Sequence, residues 1–191
     1  MTTFRRPVSH VMGWAWMAVS VLLLVDLVVR GTDMRAVVSG AVLLITVGAA
    51  YVLAVRPKVV ATEEGVRLVN PLREVFVPWT AFTWADVTDV LRVHAGDQVF
   101  RSWPLREGKR SEVRENLRRA GGFGEDRDDP REMRPTERVA WILRGEAERR
   151  RARSAGGARE GAAGPTVVWA PDAVAALAVP VVLFAGALLL I

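Results

Sequence analysis

The chain has 191 residues, 51% of them hydrophobic, with 26 Lys and Arg against 21 Asp and Glu for a formal charge of +5, and no cysteine. A cysteine-free chain excludes a disulfide framework, a thiolate nucleophile and a Cys-based zinc site. Nearly all the charge lies between Arg56 and Glu160; roughly sixty residues fall in apolar blocks, and the remainder is enough for one small domain.

Residues 1–10 carry Arg5, Arg6 and His10 ahead of the first apolar block, 11–29, and the transmembrane helix is predicted over 11–30. About 19–20 apolar residues match a hydrocarbon core of about 30 Å. The block resembles a signal sequence in its basic start, but it is long and ends in Val28-Val29-Arg30-Gly31 without an Ala-x-Ala-like site, so an uncleaved anchor is expected. Asp26 is its one ionisable residue. Arg30 lies four residues on, on the same helix face, which predicts a surface-proximal ion pair rather than a proton path.

A short hairpin with Arg30, Asp33 and Arg35 leads to the second span, 36–55. Small residues recur along it at Ala36, Gly40, Thr46, Ala50 and Ala54, a stripe that lets another helix approach closely, with the first span as its expected partner and self-association as the alternative.

From Pro57 the pattern changes to short alternating runs separated by Gly, Pro and Asp turns, the pattern of antiparallel β-sheet. Six strands are predicted, over 58–62, 66–70, 74–78, 82–86, 89–94 and 98–103, with a tight turn at Ala95-Gly96-Asp97. Asp86 and Asp89 read as turn residues, and His94 as a strand-surface or hairpin residue. A helix over 109–120, with Val113 and Leu117 as its apolar pair, is expected to cover one opening of the sheet.

The run Arg56-Pro57-Lys58-Val59-Val60-Ala61-Thr62-Glu63-Glu64-Gly65-Val66-Arg67-Leu68-Val69-Asn70-Pro71 resembles the bacterial PH domain family typified by the low molecular weight protein antigen 6 of actinobacteria. There two spans run into Arg-Pro, a strand, an acidic-Gly turn and an Arg-x-x-Asn strand end, followed by a hydrophobic strand closing on Pro-Trp, here Val75-Phe76-Val77-Pro78-Trp79. The resemblance covers about residues 8–105. It implies a PH-like fold over 56–120 and a membrane location, and it carries no catalytic residue. The chain differs from the family in holding six predicted strands where a complete PH domain has seven, and in a long charged insertion before its last span.

Residues 121–165 read as a charged linker containing an amphipathic helix over 136–153, with Val139, Ile142 and Leu143 on one face and Arg149, Arg150, Arg151 and Arg153 at its end. Val167-Val168-Trp169 then leads to the third span, 172–191, with Asp172 as its expected N-cap and Pro180 as a kink. The fold class is thus an α+β membrane protein: three transmembrane helices, with a small antiparallel PH-like β domain and helices between the second and third.

Arg flanking the spans places the N-terminus and residues 56–165 in the cytoplasm and the C-terminus outside. Trp14, Trp16, Tyr51 and Trp169 fall near the cytoplasmic interface, where their rings are favoured. Arg far outnumbers Lys, as in a GC-rich bacterial genome, and basic residues beside spans need no nucleic acid to explain them. No residue pattern supports catalysis, a metal, a cofactor or a small-molecule substrate: His10 and His94 stand alone, and Gly121–Gly124 lacks the Lys-Ser/Thr of a P-loop.

Two functions remain. A protein partner or a second copy would use Trp84, Trp103 and Trp141 as anchors if they are exposed; core packing is the competing reading for Trp84 and Trp103, while Trp79 belongs to the core. Anionic membrane lipid would be met by Arg149, Arg150, Arg151 and Arg153, against a simple solvated positive-inside run. The acidic Glu63-Glu64 turn argues against a phosphoinositide headgroup pocket, and a regulatory subunit of a larger membrane complex overlaps with the first function.

Overall fold

The structure is a computed structural model that describes residues 2–31, 33–106, 133–154 and 164–189. It divides into two compact units, one mainly β and one helical.

The β unit contains two antiparallel sheets. The six expected strands are all present, as β2 (Lys58–Ala61), β3 (Gly65–Val69), β4 (Arg73–Pro78), β5 (Trp84–Val87), β6 (Val90–Ala95) and β7 (Gln98–Arg106). Two further strands join them: β1 (Thr2–Phe4), from a stretch expected to be a plain terminus, and β8 (Thr166–Trp169). The strand order is β1-β2-β3-β4-β8 in one sheet and β5-β6-β7 in the other. β1 pairs with β2 in the register Thr2↔Ala61, Phe4↔Val59. The far ends of β4 and β8 group with the helical unit.

Alternation fixes which face is buried. Val59, Val66, Leu68, Val77, Ala85, Leu91 and Val93 are wholly buried, while Arg67, Arg92 and His94 point the other way. The β6–β7 turn needs only Gly96 and Asp97 between the paired residues Ala95 and Gln98, and Gly96 takes the left-handed φ of 58° that such a tight hairpin favours. β7 runs against β2 and β3, which brings the two sheets together around one core.

The helix that covers this core is α3 (Pro135–Ser154), packed on β5 and β6. Val139, Ala140, Leu143 and Ala147 enter the core, whereas Ile142 remains half-buried. The expected helix over 109–120 lies outside the described residues. Trp79 is buried as the sequence suggested, its indole N–H donating to Thr62 O at 3.0 Å and its ring 5.5 Å from Phe82.

The helical unit consists of α1 (Pro7–Arg30), α2 (Met34–Ala50) and α4 (Pro171–Leu189). α2 continues through a π-turn over Tyr51–Val55, so that Pro7–Arg30, Met34–Val55 and Pro171–Leu189 are each long and apolar enough to cross a membrane, with mean hydropathy of 2.1, 2.2 and 2.2. The Asp33 carboxylate caps α2, accepting from Ala36 N at 3.1 Å. The small-residue stripe of α2 does meet α1: Trp16 Nε1 donates to Thr46 Oγ1 at 3.3 Å, and Gly13 lies against Ala54. On another side Gly48 lies against the backbone of Ala176, where an added Cβ would be 2.1 Å from its carbonyl oxygen. Asp26 pairs with Arg30 at 2.9 Å on the exposed face of α1.

Candidate interaction surface and the Arg56 cluster

The outward face of β5–β6–β7 is built by strand alternation. Trp84 and Asp86 share it from β5, Arg92 and His94 from β6, and Val99, Arg101 and Trp103 from β7. The pairing aligns Trp84, His94 and Val99 in one row and Asp86, Arg92 and Arg101 in the next. Trp84, Val99 and Trp103 are about half exposed, at 47%, 47% and 51%. Three large apolar side chains therefore flank a charged row on one face of one sheet. Trp84 is held by the Arg144 guanidinium of α3, 4.7 Å above its ring. Trp141, one turn earlier on α3, is exposed to a similar degree.

Asp86 sits inside β5 and is not a turn residue, a correction that follows from its pairing with Arg92 across the ladder. Arg92 donates to both its oxygens, with Nε 3.1 Å from Oδ1, and His94 Nε2 lies 3.0 Å from Oδ1. The Arg92 bonds, assisted by His94 and opposed by partial burial, hold the Asp86 carboxyl below the usual carboxylate range. Its partner Arg92 is correspondingly held in its charged form. The result is a fixed polar row with set donor directions. Among the described residues no group of three His, Asp or Glu side chains comes together to hold a metal.

The four arginines at the end of α3 divide. Arg150 donates to Glu63 O and, through Nε, to Glu146 at 2.7 Å, with its guanidinium over the Trp79 ring. Arg151 donates to Phe82 O at 2.6 Å and to Thr83 O at 3.1 Å. These two tie the helix end to the loops of the β unit. Arg149, bonded to Glu146 at 3.1 Å, is exposed, as is Arg153.

In the helical unit, sequence reasoning missed a cluster around Arg56, whose side chain is only 5% exposed. Its Nε donates to Asp172 Oδ2 at 2.8 Å and its Nη2 to Glu74 Oε1 at 2.6 Å, while Nη1 donates to Asn70 O at 2.6 Å. Tyr51 OH joins at 3.1 Å from Asp172 Oδ2. The π-turn brings this about: Arg56 N bonds to Tyr51 O at 2.9 Å, and the widened turn directs both side chains at one carboxylate. Asp172 is accordingly not the N-cap of the third span. α4 starts one residue earlier at Pro171, and the Asp172 carboxylate in its first turn takes Arg56 and Tyr51. The signal available in the sequence is Arg56-Pro57 itself, which membrane-flanking charge and the family-like motif both account for without a buried cluster.

An open apolar groove of about 620 Å³, lined by Leu24, Leu27, Val37, Ala41, Leu44 and Leu183, lies among the three helices; within a bilayer it meets acyl chains.

No curated protein and no solved structure matches the chain. A family model does match, over residues 56–121, and it is described as a bacterial PH domain. Residues 56–121, with their packed antiparallel sheets, are thus similar to a bacterial PH domain, in a chain with three helices long and apolar enough to cross a membrane.

Proposed function

We propose that the chain is a multi-pass membrane protein that holds its PH domain at the inner face of a bacterial membrane and uses the outward face of β5–β6–β7 to dock a protein partner, as a scaffold or as a subunit of a larger membrane complex. One observation carries this reading: Trp84, Val99 and Trp103 stand half exposed on one rigid sheet face, around a charged row whose geometry Asp86 fixes. Exposed tryptophans with fixed polar neighbours are what strong interface anchors are made of. PH domains are typically non-catalytic interaction modules, and the reading assigns no reaction.

Two features support the orientation. The arginines flanking the spans favour an inward-facing N-terminus and middle segment. The β1–β2 pairing supports placing Thr2–Phe4 and Lys58–Ala61 on the same side. Reporter fusions at the two termini test this: the N-terminal fusion is active inside and the C-terminal one outside, and the reverse result rejects it.

Anionic-lipid contact by Arg149, Arg150, Arg151 and Arg153 has less support, because Arg150 and Arg151 are committed to carbonyl groups of the β unit. Co-purification from native membranes decides between the two. A protein recovered with the wild type and lost from the Trp84→Ala, Trp103→Ala double variant supports docking; identical recovery with both removes it.

A further inference from the structure

The nineteen residues of α4 rise about 28 Å, no more than the roughly 30 Å of hydrocarbon they must cross. The uncharged run of α4 begins at Ala173, directly after the Asp172 that Arg56 holds, so Pro171 lies at the edge of the hydrocarbon. Trp169 is two residues before it, and two extended residues reach about 7 Å at most, whatever direction the strand takes. That distance matches the headgroup zone of one leaflet, about 5–8 Å deep.

The turn between β3 and β4 is brought to the same level, because Ala170 N donates to Leu72 O at 3.0 Å. Three apolar side chains meet the exterior here: Leu72, Val168 and Trp169, the last two at 59% exposure. The Arg73 guanidinium lies 4.5 Å over the Trp169 ring. In water this patch is an unfavourable surface, and the open edge of β8 a pairing hazard. In a headgroup layer the same groups are well placed: the indole and aliphatic groups reach the acyl boundary, and the stacked guanidinium meets phosphate.

We propose that Leu72, Val168 and Trp169, with Arg73, form a foot that lies in the headgroup layer of the bilayer, continuous with the span that begins at Pro171. The occupant of the patch is lipid. A second copy pairing along β8 is the competing occupant, and the test separates them.

Because the chain has no cysteine, single spin labels can be placed on the full-length protein reconstituted in phosphatidylethanolamine–phosphatidylglycerol vesicles. Leu72→Cys and Val168→Cys are compared with Asp97→Cys, exposed in the β6–β7 turn. Lipid burial predicts an oxygen-to-nickel-chelate accessibility ratio several-fold higher at residues 72 and 168 than at 97. A ratio at either site equal to that at 97 overturns the proposal, as does dipolar broadening at 168 from a neighbouring copy. The docking face of the β unit is not involved, so failure of either idea leaves the other standing.

Discussion

Arg56 and Asp172 are 116 residues apart in the chain and 2.8 Å apart in the fold. The pair joins the end of the second membrane helix to the start of the third, and the same guanidinium also serves Glu74 and Asn70 O. A buried cation with two acidic partners is costly to leave half made.

Arg56→Ala is therefore expected to destabilise the protein strongly, by about 3 kcal/mol, the lower end of what breaking a buried pair costs. Thermal unfolding in detergent micelles reads this directly. Arg56→Lys is expected to recover only part of the loss, because one ammonium cannot match the fork that meets Asp172, Glu74 and a carbonyl together. An alanine variant as stable as the wild type would show the cluster to be incidental.

The Asp86 carboxyl is depressed by Arg92 and His94, and the sign of the linkage follows. Its contribution is full above the unfolded value near 3.8 and is lost as pH falls through the depressed folded value. Asp86→Asn is expected to lower the melting temperature at pH 7 and to converge on the wild type as pH falls through the depressed folded value. Other carboxylates are common to both proteins and cancel in the comparison. A gap that stays constant with pH would mean that the charge on Asp86 does not matter.

Much of the β unit was legible because strand alternation is a strong signal when one face is buried. Val66 and Leu68, then Leu91 and Val93, mark their strands clearly, and the Gly96-Asp97 turn fixes a register. β1 was not legible: three residues, Thr-Thr-Phe, carry no period, and only the neighbouring β2 makes them a strand. β8 was hidden for a related reason, since Thr166–Trp169 is exposed along its whole length and so shows no alternation of burial. These two short strands from outside the expected segment form the two edges of the five-stranded sheet. Of the candidate site, the tryptophans were visible but their exposure was not, because exposure depends on which face each strand turns outward. Arg56 lies beside a span, where positive charge already has a cause, and Asp86 is of a residue type common in turns.

Ser102 is wholly buried in β7, and its hydroxyl has no hydrogen-bond partner among the described residues. An unmade bond of this kind costs about 1–3 kcal/mol. Ser102→Ala removes the polar atom and keeps the volume nearly constant, so it is expected to raise the melting temperature by a few degrees. A lower melting temperature would reveal a partner for the hydroxyl.

Among the contacts that hold the third span to the second are two of different kinds, the Arg56–Asp172 pair and the close approach at Gly48. An added Cβ at Gly48 meets backbone at Ala176, which cannot rotate away as a side chain would. Gly48→Ala is expected to push the helices apart and lower the melting temperature, although alanine is the better helix former. Asp172→Asn weakens the same junction from its end. If both contacts serve one junction, the double variant loses less than the sum of the two single losses, because the first change has already loosened what the second would break. Full additivity would mean that Gly48 and Asp172 stabilise the protein independently, and that the Arg56 cluster holds its own turn and not the packing of the span.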